Sequence, residues 1–343
     1  MSDIAKGLLG GGWSLLVGWI LPTLINVTVF VALAPALAPV QIGDLLSGAN
    51  TAAVVAVVSG VLVAGLVLAA VQNFLYRVLE GYSLWPRPLQ RWARQRQLAR
   101  KRLLTDRLAA LRLADAEARG EDVATAIAPY RAHRRLGAYT RRGEGSAVVT
   151  GLVAEQLRRY PVDDAQLAPT RLGNSIRRLE EYAWSRYGLD SQILWSELCC
   201  VADEQARKEE AAARANVDFF VCLLSGHVLL AVAFVALHAS GVLAGRGPMI
   251  AAVALVVLAR IWYSAAVRAV DGWDGAVRSM VNLGRVRLAE SMGLLMPDSL
   301  ADERQMWLAV ARLVRDPADP NAAGRLDAFR RAATAVPHQP PAR

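Results

Sequence analysis

The chain has 343 residues, of which 54% are hydrophobic and 20% are charged, and its formal net charge is +9. A mean hydropathy of +0.28 excludes an ordinary soluble domain, and the charged fraction excludes a protein buried wholly in lipid. Only three of the 39 basic residues are Lys, an Arg-rich composition typical of GC-rich bacterial genomes. The three cysteines, two of them adjacent, favour reduced thiols over a disulfide framework.

Four charge-poor apolar stretches follow one another along the chain. Residues 7–43, 45–76 and 219–245 contain no charged residue, and residues 247–267 are interrupted only by Arg260. About 20 predominantly apolar residues are enough for a helix to cross the ~30 Å hydrocarbon core of a bilayer. The sequence therefore predicts an all-α integral membrane protein with four transmembrane helices in two hairpins.

These stretches divide the chain into five segments, the first boundary lying near the helix-breaking Trp85-Pro86-Arg87-Pro88. We expect the helix after Asp203 to continue into the third span, the fourth span to extend to about Met292, and Ser299 or Asp302 to begin a last helix. The segments are a first hairpin at 1–80 (spans at about 13–35 and 52–76), a cytoplasmic helical insert at 81–216, a second hairpin at 217–268 (spans at about 218–238 and 248–267), C-terminal helices at 269–335 and a disordered tail at 336–343.

The distribution of basic residues predicts the orientation. The loop at about 39–50 has no Lys or Arg, and the loop at about 239–248 has only Arg246. Nine basic residues lie between Arg87 and Arg112, directly after the second span. By the positive-inside rule, both termini and the insert face the cytoplasm of a multi-pass protein in a bacterial plasma membrane.

Four polar residues inside the predicted spans are candidate intramembrane sites. Arg260 either attracts anions in a pore or extends its side chain to the cytoplasmic interface, where Asp218 is a candidate partner. His227 either lines a cavity or forms a neutral hydrogen bond between helices. Asn26 is most simply explained by a hydrogen bond between helices. These residues are the pore candidates of the chain.

The basic segment after the second span predicts contact with anionic lipid headgroups, because juxtamembrane cations are attracted to the negative membrane surface. The alternative is that this segment is only a stop-transfer signal with a solvated face. Its position beside the membrane disfavours nucleic acid as its partner. The lipid-contact candidates are Arg87, Arg91, Arg94, Arg96, Arg100, Lys101 and Arg102.

The sequence contains no recognisable catalytic, cofactor-binding or metal-binding motif. Its four histidines have no zinc-ligand spacing, and no phosphate-binding loop or nucleophile elbow is present. Asp271 and Asp274 lie on one helical face, but Arg268 and Arg278 one turn away favour an ion-paired surface over a metal site. We therefore expect a protein that is not an enzyme and that has no cofactor.

Two stretches, Arg171 to Trp195 and Tyr263 to Trp307, resemble a recurrent pattern in a group of bacterial, actinobacterial-type multi-span membrane proteins. This resemblance implies the architecture and no particular activity. The hairpin–insert–hairpin order also resembles the topology of bestrophin-type anion channels. We expect a homo-oligomeric, channel-like assembly that could pass anions. The alternative is a membrane-anchored scaffold or effector that acts through its basic cytoplasmic helices and a cytoplasmic protein partner.

Overall fold

The computed structural model describes residues 12–37, 51–140 and 146–330. The predicted loop at 39–50 and the predicted tail at 336–343 lie outside these residues. The chain divides into two compact units, whose boundaries fall within three of the helices described below. The first unit comprises Met1–Arg178 and Ala211–Asp274, and the second comprises Leu179–Glu210 and Gly275–Arg343.

The described residues form helices, apart from turns and one isolated bridge between Leu294 and Arg330, so the predicted all-α class is confirmed. In chain order the helices are α1 (Trp13–Leu15, a π-helical Leu16–Ile20 and Leu21–Leu37), α2 (Thr51–Ala70), α3 (Gln72–Glu80), α4 (Arg87–Ala118), α5 (Ala124–Ala132), α6 (Ser146–Arg158), α7 (Arg171–Tyr187), α8 (Trp195–Val201), α9 (Glu204–Ala239), α10 (Gly247–Ser291), α11 (Leu300–Arg315) and α12 (Pro320–Asp327).

Three helices in the described part of the chain are long and apolar enough to cross a membrane. They are α1, over Trp13–Phe30, together with α9 and α10. Helices α2 and α3 meet the same criterion only as a pair, and the pair is bent by 56°. The structure thus supports membrane association with at least three candidate spans.

The bend between α2 and α3 lies where the apolar sequence ends, at Val71, whose φ of −93° and ψ of 8° are not helical. Helix α3 is capped at its C-terminus by Gly81, which adopts a φ of +93°. A Cβ atom at this position would lie 2.8 Å from the Pro169 side chain, so glycine alone fits the turn. The loop before α7 is thereby packed against the end of α3.

Helix α1 contains a proline within its apolar stretch. Pro22 has no N–H group to donate to the preceding turn, and the π-helical turn Leu16–Ile20 ends two residues before it. The Trp19 carbonyl accepts a hydrogen bond from the Thr23 hydroxyl at 2.6 Å and lies 3.6 Å from the Cys222 sulfur. The Trp19 carbonyl thus has side-chain contacts both within α1 and from α9.

The long helices of the first unit share an apolar core. Phe234 of α9 and Leu255 of α10 are almost fully buried in one cluster, against which Val29 and Leu33 of α1 pack. Gly65 of α2 permits close approach to α1, because a Cβ there would lie 3.3 Å from the Ile20 Cα. Helices α1, α2, α9 and α10 are therefore closely packed in this unit.

The charged part of the first unit has a separate apolar core. Leu104, Leu108 and Leu111 repeat at intervals of four and three residues, which places them on one face of α4. This face packs in a cluster with Val153 and Tyr160. The remaining surface of α4 is available to its basic residues.

The second unit is centred on α11, whose Trp307 is fully buried. The Ser299 side chain accepts a hydrogen bond from the Asp302 N–H, which confirms the predicted start of this helix. Helix α9 begins at Glu204 and α10 ends at Ser291, so both predicted long helices are confirmed as well.

Candidate functional site: an arginine-lined groove

An open groove of about 840 Å³ lies in the first unit, between α4, the start of α7 and the middle of α10. None of the described residues that line it is an Asp or a Glu. Trp85, Trp92 and Tyr263 supply aromatic surface. Its basic residues are Arg96, Arg100, Arg107, Arg135, Arg171 and Arg260. We refer to this cavity as the arginine groove.

One face of α4 forms a wall of the groove, because Trp92, Arg96, Arg100 and Arg107 follow one another at helical spacing. The Arg96 guanidinium lies 5.5 Å from the centre of the Trp92 ring, which is itself 56% exposed. Arg107 lies 5.1 Å from the centre of the Tyr139 ring. Aromatic rings thus orient two of the arginines without neutralising them.

The start of α7 brings Arg171 into the groove. The Tyr263 hydroxyl of α10 accepts hydrogen bonds from the backbone N–H groups of Arg171 and Leu172, at 3.1 and 3.2 Å. The buried Asn174 side chain bonds both the N–H and the carbonyl of Ala168. These bonds satisfy part of the helix terminus and fix its position against α10.

Arg171 lies in an unfavourable electrostatic environment. Partial burial and, next in size, the positive charge of Arg100 lower the pKa of the Arg171 guanidinium. No described residue forms an ion pair with Arg171 or Arg100. The groove therefore concentrates positive charge that the described part of the chain does not compensate.

Two cations close to the groove, Arg159 and Lys101, are neutralised by carboxylates, in contrast. The Arg159 Nη2 lies 2.6 Å from Asp271 Oδ2 and 2.6 Å from Glu155 Oε1, and the hydrogen bond to Asp271 raises the pKa of Arg159. Lys101 Nζ lies 2.6 Å from Asp164 Oδ1. Asp271, which the sequence placed on an ion-paired surface, is paired here with Arg159. In the described residues, no group of three or more His, Cys, Asp or Glu side chains could hold a metal ion.

Arg260 is exposed on α10 and belongs to the groove. Its guanidinium lies 5.5 Å from the centre of the Tyr263 ring, and Nη1 donates a 3.4 Å hydrogen bond to the Ser264 hydroxyl. Arg260 and Asp218 do not form the ion pair that the sequence suggested. Asp218 instead accepts a hydrogen bond at 2.7 Å from the hydroxyl of Tyr76, in the middle of α3.

The other intramembrane candidates are buried between or along helices. Asn26 Nδ2 donates to the Cys222 carbonyl at 3.3 Å, so this side chain forms the predicted bond between helices. His227 is 2% exposed, and its Nδ1 lies 2.8 Å from the Leu223 carbonyl of its own helix. The hydrogen bond of His227 therefore lies within α9, and not between helices as one interpretation of the sequence had it. The structure does not bring Asn26, Asp218 and His227 into the arginine groove.

The predicted lipid-contact residues are distributed over more than one surface. Arg96 and Arg100 line the arginine groove, and Arg91 and Arg94 line a neighbouring cavity of about 240 Å³ with Arg177. Arg87 and Arg102 are exposed and line neither cavity. Lys101 donates a hydrogen bond to the Val162 carbonyl.

Sequence reasoning missed the contribution of Arg171, Arg107, Arg135 and Tyr263 to the site. Arg171 precedes an amphipathic helix and carries no local signal of its role, since its neighbours in the groove are 71 and 89 residues away in the chain. An anion-binding surface is what this arrangement supports chemically. No protein-family model, curated protein or solved structure matches the chain.

Proposed function

We propose that this protein is a non-enzymatic membrane-anchored scaffold or effector whose basic helix α4 binds anionic lipid headgroups. The arginine groove is the observation that carries this proposal, since it gathers six arginines and no acidic residue among its described lining. Exposed cations beside apolar helices are attracted to anionic bilayers by ~1 kcal/mol per residue near the surface.

The proposal includes four spans, with the bent pair α2–α3 taken as the second. Helix α2 then crosses the bilayer, and the amphipathic α3 leaves it at an angle, as its Gln72, Arg77 and Glu80 require. Under the positive-inside rule, both termini and α4 face the cytoplasm of a bacterial plasma membrane.

Exposed apolar residues at the start of α4 support its placement at the lipid surface. Leu89 is 44% exposed and Trp92 is 56% exposed, close to the basic residues of the same helix. Tryptophan prefers the interface between water and hydrocarbon, where its ring is apolar and its N–H is hydrated. Helix α4 thus carries both kinds of residue that bind an anionic interface.

The test is Trp92 fluorescence in nanodiscs that contain brominated acyl chains. The difference between the wild-type signal and that of Trp92→Phe isolates this residue from the other eight tryptophans. We expect quenching in nanodiscs with phosphatidylglycerol and a smaller effect with phosphatidylcholine alone or at high salt. An unquenched Trp92 in anionic nanodiscs would contradict the proposal.

A homo-oligomeric channel is the second candidate, and one face of α10 favours it. Ile250, Val253 and Val257 are exposed at intervals of three and four residues, and Arg260 continues the same face. A second copy of the chain could cover this face and place Arg260 beside a path for anions. Chloride efflux from proteoliposomes, altered by Arg260→Gln, would support the channel, and silent liposomes with folded protein would count against it.

A further inference from the structure

Three arginines from three different helices line the arginine groove. Arg100 comes from α4, Arg171 from the first position of α7 and Arg260 from α10. We infer that the arginine groove is a binding site for one phosphate group, held by these three side chains, and that this phosphate belongs to a phospholipid headgroup. The inference rests on the proposed function and deepens it from attraction to a surface into recognition at a site.

The positive charge of the groove favours binding of an anion from outside the described chain. Arg100 and Arg171 repel each other without a compensating carboxylate, although Arg159 close by has two. Arg159, Arg100 and Arg171 all border one small cavity that adjoins the groove. Because guanidinium groups bind phosphate oxygens with paired N–H donors, a phosphate relieves this repulsion at low geometric cost.

The site is organised before any ligand binds. Tyr263 fixes the backbone of Arg171 through two hydrogen bonds, and its ring lies beneath the Arg260 guanidinium. The Tyr263 hydroxyl accepts both bonds, and its own proton has no acceptor among the described residues. That O–H can donate to a phosphate oxygen placed between Arg171 and Arg260.

The position of Arg260 selects a lipid over a soluble anion. Arg260 is 13 residues after Gly247, which is about 20 Å along a helix at 1.5 Å per residue. With Gly247 placed at the outer boundary of a ~30 Å hydrocarbon core, as the proposed span implies, the Arg260 backbone lies about 10 Å from the cytoplasmic boundary, and its side chain can reach toward that boundary. Leu89 and Trp92 also line the groove, where they can contact the glycerol and upper acyl chains of a bound lipid.

Native mass spectrometry of the full-length protein in detergent micelles, titrated with phosphatidylglycerol, tests this site. The measured quantity is the fraction of protein that retains one lipid. We expect Arg171→Gln, Arg100→Gln and Arg260→Gln each to weaken retention by about tenfold, the effect of losing one charged hydrogen-bonding partner. If Arg171→Gln does not fold, as judged by circular dichroism, the Arg100→Gln and Arg260→Gln variants decide the outcome, because both arginines are exposed.

The matched control is Arg102→Gln, which removes the same charge from an exposed position of α4 outside the groove. Retention by this variant should stay within about twofold of the wild-type value, in line with a surface charge. Equal weakening by Arg102→Gln and Arg100→Gln would show diffuse attraction and overturn the site. The proposed function would survive that result, because Trp92 quenching does not depend on a discrete site.

A competition experiment distinguishes the source of the phosphate. Inorganic phosphate and glycerol 3-phosphate are added to the lipid-bound protein, and the retained lipid is measured again. Retention at roughly a hundredfold excess of either anion supports a headgroup site, because acyl contacts add to the phosphate contacts. Displacement at concentrations comparable to that of the lipid would overturn the headgroup assignment and leave a site for soluble phosphate.

Discussion

Gly226 of α9 faces Asn26 of α1 so closely that a Cβ atom on Gly226 would lie 2.0 Å from Asn26 Nδ2. The same amide donates to the Cys222 carbonyl, one turn earlier on α9. The absence of a side chain at Gly226 is therefore what allows Asn26 to reach a backbone acceptor. Close approach of helices at small residues, together with a polar side chain, is the main means of association in lipid.

The first prediction concerns this contact. Gly226→Ala should destabilise the protein by about 1–3 kcal/mol, because the methyl group forces Asn26 away from α9. Thermal unfolding in detergent measures the change. Gly60→Ala on α2 is the matched control, since no atom lies within 4 Å of a Cβ at that position. A Gly226→Ala protein as stable as the Gly60→Ala protein would refute the role of this contact.

A second prediction concerns the hydrogen bond between Tyr76 and Asp218. Asp218 is 6% exposed, and Tyr76→Phe removes the hydroxyl that donates to it at 2.7 Å. We expect a loss of about 1–3 kcal/mol of stability, since a buried carboxylate loses a donor. Tyr139→Phe removes a hydroxyl with no hydrogen-bond partner in the described residues and should change stability much less. Equal midpoints for the two variants would contradict this assignment.

In the second unit, Glu303 should be a major determinant of stability. It is 5% exposed, accepts a 3.3 Å hydrogen bond from Trp307 Nε1, and lies 3.0 Å from Arg285 Nε as an ion pair. Glu303→Ala leaves the partly buried Arg285 guanidinium and a buried indole N–H without this acceptor, so we expect a cost of about 3 kcal/mol in chemical unfolding.

The control for this variant is Glu204→Ala at the start of α9. Glu204 pairs with Lys208 at 2.7 Å, but both side chains are more than half exposed. Exposed pairs one helical turn apart contribute about 0.3–0.5 kcal/mol. If the two alanine variants unfolded at the same denaturant concentration, the buried Glu303 would contribute no more to stability than the exposed Glu204.

The fourth prediction uses pH. Burial, together with the negative charge of Glu210, raises the pKa of the Cys199 thiol. A raised pKa means that less thiolate is present at pH 8, so folded protein should react with iodoacetamide more slowly than urea-unfolded protein. The measurement uses a Cys200→Ser, Cys222→Ser background. Glu210→Gln should shift the midpoint of the rate-against-pH curve downward, and an upward shift would be inconsistent with the stated cause.

The sequence was sufficient to predict the long helices, because their signals are local. Absence of charge marks α1, α9 and α10, and Ser299 occupies the capping position that its residue type favours. The residues around Val71, in contrast, give no local signal of the bend between α2 and α3. The bend after α2 contains neither proline nor glycine and depends on where amphipathic α3 packs.

The candidate site was only partly predictable for a related reason. Arg100 and Arg260 stand out locally, one in a basic run and the other in an apolar span. Their common neighbour Arg171 does not stand out, because its place depends on the Tyr263 hydroxyl that holds the start of α7. Three helices meet at this groove only through tertiary packing. The spacing of residues along any one helix does not predict that packing.

The most direct test of the central claim is an electron cryomicroscopy structure of the full chain in phosphatidylglycerol nanodiscs. The account predicts phosphate density in contact with the guanidinium groups of Arg100, Arg171 and Arg260, with α4 lying against the headgroup layer. A groove without headgroup density, on an α4 held away from the bilayer, would contradict it.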